Sequence, residues 1–288
     1  MKILLACLNA NGLGGSELYH YELARELYNL GCDVTLFTLH TINREDQVRL
    51  KIQHIKQVDL NTINLKEQFD ILVASQPQVN LYLLEHFNTV PIISIIHSEI
   101  RSEDPVIHPR IIHYIAIREP IKDMLINEYK ISEKKISVIY NPIDQTRFNE
   151  TSIEKLKTYS GLFVGEVLDP IRFQAVKHLT QECINNTWDL YLMSDSRYNF
   201  NHPNIKYLDK RWDTEHVVKQ MHFTAGILLG RTTLEGWCCG VPGFIYLIDV
   251  QGNILDIQTT APDDIQNLCD SKTVAKQHIK LYSRYITD

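Results

Sequence analysis

Lys2-Ile3-Leu4-Leu5-Ala6-Cys7-Leu8-Asn9-Ala10-Asn11-Gly12-Leu13-Gly14-Gly15-Ser16-Glu17 opens the chain. Lys2 to Leu8 is a continuous apolar run, the mark of a strand buried on both faces. It passes straight into Asn9-Ala10-Asn11-Gly12 with no small-residue cleavage site, so it reads as a strand and not as a signal peptide. A glycine-bearing loop follows, and Ser16 is the expected helix N-cap before Glu17. Leu18, Tyr21, Leu23, Ala24, Leu27 and Leu30 recur at helical spacing, and Gly31 ends the helix. Asp33 to Leu39 is the next strand. A strand, helix and strand joined by glycines at the first turn predict a parallel sheet.

The alternation continues outward from this unit. Phe69 to Ala74, Pro91 to His97, Ile111 to Ile117 and Lys135 to Tyr140 read as strands. Leu81 to Phe87 and Glu119 to Tyr129 read as helices. Thr41 to Lys66 is polar, with one strand expected near Ile52 to Val58. Asn141-Pro142-Ile143-Asp144 is a turn, and the polar stretch Gln145 to Tyr159 after it marks a domain boundary. The pattern then restarts. Strands are expected at Gly161 to Val164, Trp188 to Met193, Asn204 to Leu208, Ala225 to Leu229 and Gly243 to Leu247. Helices are expected at Ile171 to Cys183, Thr214 to Met221, Thr232 to Cys239, Asp263 to Leu268 and Ser271 to Tyr285. The expected layout is therefore two α/β domains, residues 1–144 and 145–270, with a closing helical segment, 271–288.

Composition narrows the function classes. The chain has 288 residues, 44% of them apolar and 22% charged, ordinary values for a soluble globular protein. No apolar run reaches the roughly 18 residues of a membrane span. Net charge is −6, and on either side of Asp144 it is −4 and −2. Neither half is basic, which argues against nucleic acid as a main partner and leaves at most weak peripheral contact with an anionic membrane. The six cysteines form no Cys-x-x-Cys pair, so a reducing, cytoplasmic setting is expected, with the thiols as small buried apolar groups.

The chemistry is most legible in Leu229-Gly230-Arg231-Thr232-Thr233-Leu234-Glu235-Gly236-Trp237-Cys238-Cys239-Gly240-Val241-Pro242. A strand ends at Leu229, Gly230 allows close backbone approach, and Thr232 or Thr233 can cap the helix that follows. Such a helix start suits an anion such as a diphosphate. Glu235 stands three residues after Thr232, so it is either a ligand-binding carboxylate or half of a capping box.

This stretch resembles the Leu-Glu-Ala-Met-Ala-Cys-Gly-x-Pro signature of retaining glycosyltransferases of family 4. Three further segments resemble the family in the same order: Gly14-Gly15-Ser16-Glu17, Val138-Ile139-Tyr140-Asn141-Pro142-Ile143-Asp144 and Phe163-Val164-Gly165. The resemblance spans nearly the whole chain. It implies the GT-B fold, two doubly wound Rossmann-like domains facing across a cleft, with the final helix packing back on the first domain. It also implies glycosyl transfer from a nucleotide-diphosphate sugar, UDP favoured, to a glycan or other hydroxyl acceptor, with retention of configuration. No Asp-x-Asp cluster is present, so neither a metal nor another cofactor is implied.

The family's roles fall on particular residues. Gly14 and Gly15 would let the backbone approach the donor. His97, at a strand end, resembles the histidine near the anomeric centre, the plainer alternative being a satisfied strand-end histidine. Gly230, Arg231, Thr232 and Thr233 would face the diphosphate and Glu235 the ribose. Arg172 lies near the family's phosphate-binding lysine, and a guanidinium suits a diphosphate. Two positions depart from the pattern. Glu166 stands where an arginine is usual, and Ile227 stands where the first glutamate of the family's Glu-x7-Glu motif would contact the donor sugar. Glu166, or Asp169 beside it, is the expected substitute. The rival readings are a nucleotide-sugar epimerase of the same fold, separable by product analysis, and a non-catalytic nucleotide-sugar or glycan-binding protein.

Overall fold

A computed structural model describes residues 1–40, 52–99, 104–151, 153–194, 198–249 and 251–286. The N-terminal part of the polar stretch Thr41 to Lys66 and the end of the segment 271–288 lie outside the described residues. The chain divides into two compact units: Met1–Pro142 together with Leu268–Asp288, and Ile143–Asn267.

The first unit holds β1 (Lys2–Cys7), β2 (Asp33–Thr38), β3 (Lys56–Asp59), β4 (Ile71–Ser75), β5 (Ile92–Ile96), β6 (Ile111–Ala116) and β7 (Ile136–Val138). They pair in the order β3-β2-β1-β4-β5-β6-β7, and every pairing is parallel. The central strands β1, β4 and β5 are fully buried along most of their length, as their uninterrupted apolar sequences require. The crossovers carry α1 (Gly15–Asn29), α2 (Pro77–His86) and α3 (Glu119–Asn127). Gly31 ends α1 with a φ of 87°, a left-handed conformation cheap only for glycine.

The second unit holds β8 (Ser160–Val164), β9 (Asp189–Met193), β10 (Ile205–Leu208), β11 (Phe223–Ile227), β12 (Gly243–Ile248) and β13 (Ile254–Gln258), in the order β10-β9-β8-β11-β12-β13. Its helices are α4 (Phe173–Asn185), α5 (Thr214–Gln220) and α6 (Arg231–Cys238). Leu162, Ala225, Val176, Leu179 and Leu190 form its dry centre. α6 is buried at every residue, Arg231 and Glu235 included.

The sequence did not announce β13, which runs antiparallel to β12. An antiparallel neighbour needs only a tight return, whereas a parallel one needs a crossover. Asp249 builds that return: its Oδ1 accepts the N–H groups of Gln251 and Asn253 at 2.8 and 2.9 Å. Gly252 completes it at φ 85°. β13 is an edge strand with Leu255 69% exposed, so it lacks the apolar signal of a buried strand.

Two short helices close the chain, α7 (Ile265–Cys269) and α8 (Ser271–Tyr282). Asp270 caps α8 by accepting the Thr273 N–H at 2.9 Å. α8 packs against α1, with Val274, Ala275 and Tyr282 fully buried. No helix among the described residues is long and apolar enough to cross a membrane.

Candidate active site

In each sheet the strand order reverses once, between β1 and β4 in the first unit and between β8 and β11 in the second. The loops leaving such neighbours diverge and open a crevice at the carboxyl ends of the strands. Apart from His97, which follows β5, the candidate residues lie on these loops or at the starts of the helices after them.

In the first unit the loop after β1 carries Gly14 and Gly15. Gly14 is the N-cap of α1, with φ −72° and ψ 161° and no side-chain cap. Ser16, the expected cap, lies inside the helix and donates to Glu17 Oε2 at 3.1 Å. A Cβ at Gly14 would meet the Glu17 carboxylate, the movable end of a flexible side chain, so a larger residue there would displace Glu17. The neighbouring strand β4 ends in Ser75, followed by Gln76 at φ 63°. This left-handed conformation is uncommon outside glycine, and such residues collect at binding and catalytic sites. Gln76 Oε1 accepts the Leu8 N–H at 3.1 Å, joining the ends of β1 and β4.

His97 follows β5 and is partly buried. Its Nε2 lies 2.9 Å from Ser75 Oγ. The same hydroxyl lies 3.0 Å from His20 Nε2, and His20 Nδ1 lies 2.7 Å from the Ser16 carbonyl. Tyr19 presents its ring edge-on to His97, centroids 5.0 Å apart. Its hydroxyl lies 2.9 Å from His278 Nε2 on α8, and His278 Nδ1 lies 2.7 Å from the Tyr282 hydroxyl. Burial pushes His20 down to about 4 and His278 to about 3. Burial, with His20 and Arg118 beside it, holds His97 well below the usual imidazole value. These rings are neutral at pH 7. Arg118, at the end of β6, is itself paired with Glu99. Of this cluster the sequence pointed only to His97. The Ser16–His20 spacing of one helical turn was visible, but Ser75 and His278 come from distant segments.

In the second unit β11 ends at Ile227, beside Tyr246 of β12. Ile227 packs against the core cluster, so an apolar residue there completes the hydrophobic layer. Leu228 follows at φ 63°, a second left-handed non-glycine residue at a strand end. Gly230 is the N-cap of α6, extended and without a side-chain cap. Neither threonine caps the helix, contrary to the expectation. Thr232 donates to the Val164 carbonyl at 3.2 Å, tying the helix start to the end of β8. Thr233 donates to the Gly230 carbonyl at 3.0 Å. The capping-box alternative for Glu235 also fails. Glu235 Oε1 instead accepts from Arg231 Nε at 3.1 Å and Nη2 at 2.9 Å, a buried i,i+4 ion pair. Gly236, where the family pattern has alanine, is explained by Thr224 of β11, whose side chain fills the space of a Cβ.

The loop after β8 lies alongside. Glu166 does not point into open space: its Oε1 accepts the Leu168 N–H at 3.1 Å. Asp169 Oδ1 accepts the N–H groups of Ile171 and Arg172 at 3.1 and 2.9 Å, closing the turn into α4. Arg172 is the N-cap of α4. Its Nε is buried without a partner, and its guanidinium forms no hydrogen bond to any described residue. A guanidinium with no hydrogen bond to any described residue thus stands on the loop that follows β8, and Thr232 ties the uncapped start of α6 to the end of that same strand. That pairing of features suits an anion with several acceptor oxygens.

The sequence profile of Glycosyltransferase Family 4 matches residues 13–147, from the glycine loop to the turn that leaves the first unit. This segment is similar to a glycosyltransferase family 4 domain. Around it the whole chain has the GT-B fold of known glycosyltransferases. A glycosyltransferase from Rickettsia africae ESF-5 superposes with a TM-score of 0.68 at 12% identity, covering 100% of this chain and 99% of that one. A mutant of S. aureus TarM, solved with Fondaparinux, alpha-GlcNAc-glycerol and UDP, gives 0.67 at 8% identity over 99% and 96%. An alpha-glucosyltransferase in complex with UDP and a 13-mer DNA gives 0.60 at 13% identity over 99% and 92%. No curated protein matches in sequence. The matched segment carries Gly14, Gly15, Tyr19, His20, Ser75 and His97; His278, Arg172, Glu166 and the α6 residues lie beyond it.

Proposed function

We propose that the protein transfers a sugar from a nucleoside-diphosphate donor, UDP favoured, to a hydroxyl of a glycan or similar acceptor, with retention of configuration. The observation that carries this reading is Arg172: a half-buried guanidinium with no hydrogen bond to any described residue, on the loop after β8, the strand to whose end Thr232 ties the uncapped start of α6 at the strand-order reversal. The UDP bound in the structures of TarM and the alpha-glucosyltransferase supports the choice of nucleotide.

In this reading the α6 N–H groups and Arg172 stabilise charge on the leaving diphosphate. Glu235, oriented by Arg231, meets the ribose. Gly14 and Gly15 leave room for the donor, and His97 contacts the transferred sugar near its anomeric carbon. Glu166 remains a candidate sugar contact through the carboxylate oxygen that does not serve its own loop. The leaving diphosphate takes the acceptor proton, so the protein supplies positioning rather than a nucleophile. Six buried cysteines without a disulfide among the described residues support a reducing cytoplasmic setting.

Calorimetric titration with UDP, GDP and ADP tests the reading. One of them binds, UDP most tightly, and Arg172→Ala weakens it by about 1.5–3 kcal/mol, the range for a hydrogen bond to a charged group. Unchanged affinity in Arg172→Ala would refute the diphosphate site.

A further inference from the structure

The hydrogen-bond chain that ends at His97 has a direction, and its far end sets it. The Ser16 carbonyl can only accept, so His20 Nδ1, 2.7 Å away, carries a hydrogen. His20 is fully buried, and burial holds it neutral although the Ser16 and Ala6 carbonyls both face its ring; with its one hydrogen on Nδ1, Nε2 is an acceptor. The Ser75 hydroxyl, 3.0 Å from that nitrogen, gives it its only hydrogen. Toward His97 Ser75 can then only accept, which places the His97 hydrogen on Nε2, 2.9 Å away. Ser75 has no exposed surface, so bulk water offers it no substitute. The edge of Tyr19 against the His97 ring restrains its rotation, and Tyr19 is itself tied to His278. What remains is His97 Nδ1, an unprotonated nitrogen with no hydrogen bond to any described residue.

The geometry points to Ser75 and His20 as positioning residues that hold His97 as its Nε2–H tautomer, so that Nδ1 accepts a hydrogen bond from a hydroxyl of the transferred sugar. The sugar contact rests on the function proposed above; the tautomer does not. An acceptor at this point selects for an O–H group and against a phosphate or carboxylate oxygen, which brings no hydrogen. The cluster therefore recognises a neutral hydroxyl edge, while Arg172 and α6 in the other unit offer donors suited to an anion.

Long-range ¹H–¹⁵N correlation spectra of the full chain, labelled at histidine and free of ligand at pH 7.5, read the tautomer directly. A His97→Gln variant assigns the signals. In the wild type the hydrogen is expected on His97 Nε2. Ser75→Ala removes its acceptor, and both tautomers become populated. His20→Leu takes away the group to which Ser75 donates; the serine hydrogen turns to His97 and moves the ring proton to Nδ1. A wild-type His97 protonated on Nδ1 overturns the proposal without recourse to any variant. So does an unchanged His97 tautomer in folded Ser75→Ala and His20→Leu proteins. Because no substrate is present, this result is separate from the fate of the transferase reading. With a donor that is turned over, Ser75→Ala lowers kcat/KM about tenfold, the effect of one hydrogen bond. A shifted tautomer with unchanged kcat/KM removes the sugar contact.

Discussion

Replacing Glu235 with alanine leaves a buried guanidinium without the carboxylate that faces it. Arg231 is 8% exposed and Glu235 4%, and both contacts, at 3.1 and 2.9 Å, fall on one carboxylate oxygen. Two unit charges about 4 Å apart attract by about 4 kcal/mol at an effective dielectric constant near 20. Breaking a buried pair by removing one partner costs about 3–5 kcal/mol in measured cases, so the two scales agree. At about 3 °C per kcal/mol for a domain of this size, Glu235→Ala lowers the ligand-free melting temperature by about 10–15 °C. Glu235→Gln keeps an acceptor oxygen and costs about 1–2 kcal/mol. Arg231→Met with Glu235→Met removes both charges and recovers most of the loss, because the single variant's deficit is the stranded charge. Differential scanning calorimetry of the three proteins without nucleotide decides the matter. A Glu235→Ala protein that melts within 2–3 °C of wild type, roughly 1 kcal/mol, would refute the reasoning and return Glu235 to a purely ligand-binding role. Nucleotide titration of the double variant separates the roles, since a restored fold that still binds poorly assigns the remaining defect to the ribose contact.

Other outcomes follow from particular contacts. Gly236→Ala places a methyl group against Thr224 and costs about 1–3 kcal/mol by overpacking; adding Thr224→Ala relieves it, and urea denaturation of both proteins measures the recovery. Gly252→Ala combines a left-handed φ of 85° with a collision against the Ile171 carbonyl. It destabilises the second unit by about 2–4 kcal/mol, and the adjoining Arg172 loop shifts, so a normal melting temperature would show that the β12–β13 return does not brace that loop. Stability falls with acidity because His20, His113 and His278, pushed down to about 4, 4 and 3, stay neutral when folded. The unfolded chain binds these protons near pH 6.5, so the full contribution is present above that pH and is lost as pH falls toward 4. Three such groups predict a slope of about 4 kcal/mol per pH unit in mid-window; a urea midpoint flat from pH 7 to 5 contradicts neutral burial.

The strands and helices were legible because each repeats a local rule. β1, β4 and β5 are uninterrupted apolar segments, α1 is periodic and closed by Gly31, and the α6 stretch carries its motif in consecutive residues. Their boundaries fell within a few residues of the structure. The expected caps were less secure, because a serine or threonine near a helix start is a cap only if the backbone places it at the last non-helical position. Gly14 and Gly230 took those positions, leaving Ser16, Thr232 and Thr233 inside their helices. β13 escaped notice because an exposed edge strand has no apolar face to display.

The sequence by itself determined the α/β alternation, the two candidate loops and the choice of His97, Arg172 and Glu235 as residues with chemistry. Only the tertiary structure decided what those residues do to one another. Glu235 could be read as a cap or as a ligand until the helix phase set Arg231 against it within a wholly buried α6. His97 was a lone strand-end histidine until Ser75, 22 residues away, and His20, 55 residues from that serine, met it. Hydrogen-bond direction is a property of a closed chain of partners, and no single partner reveals it. Local pattern is set by forces acting over a few residues, whereas burial, pairing and tautomer depend on which distant segments the sheet order brings together.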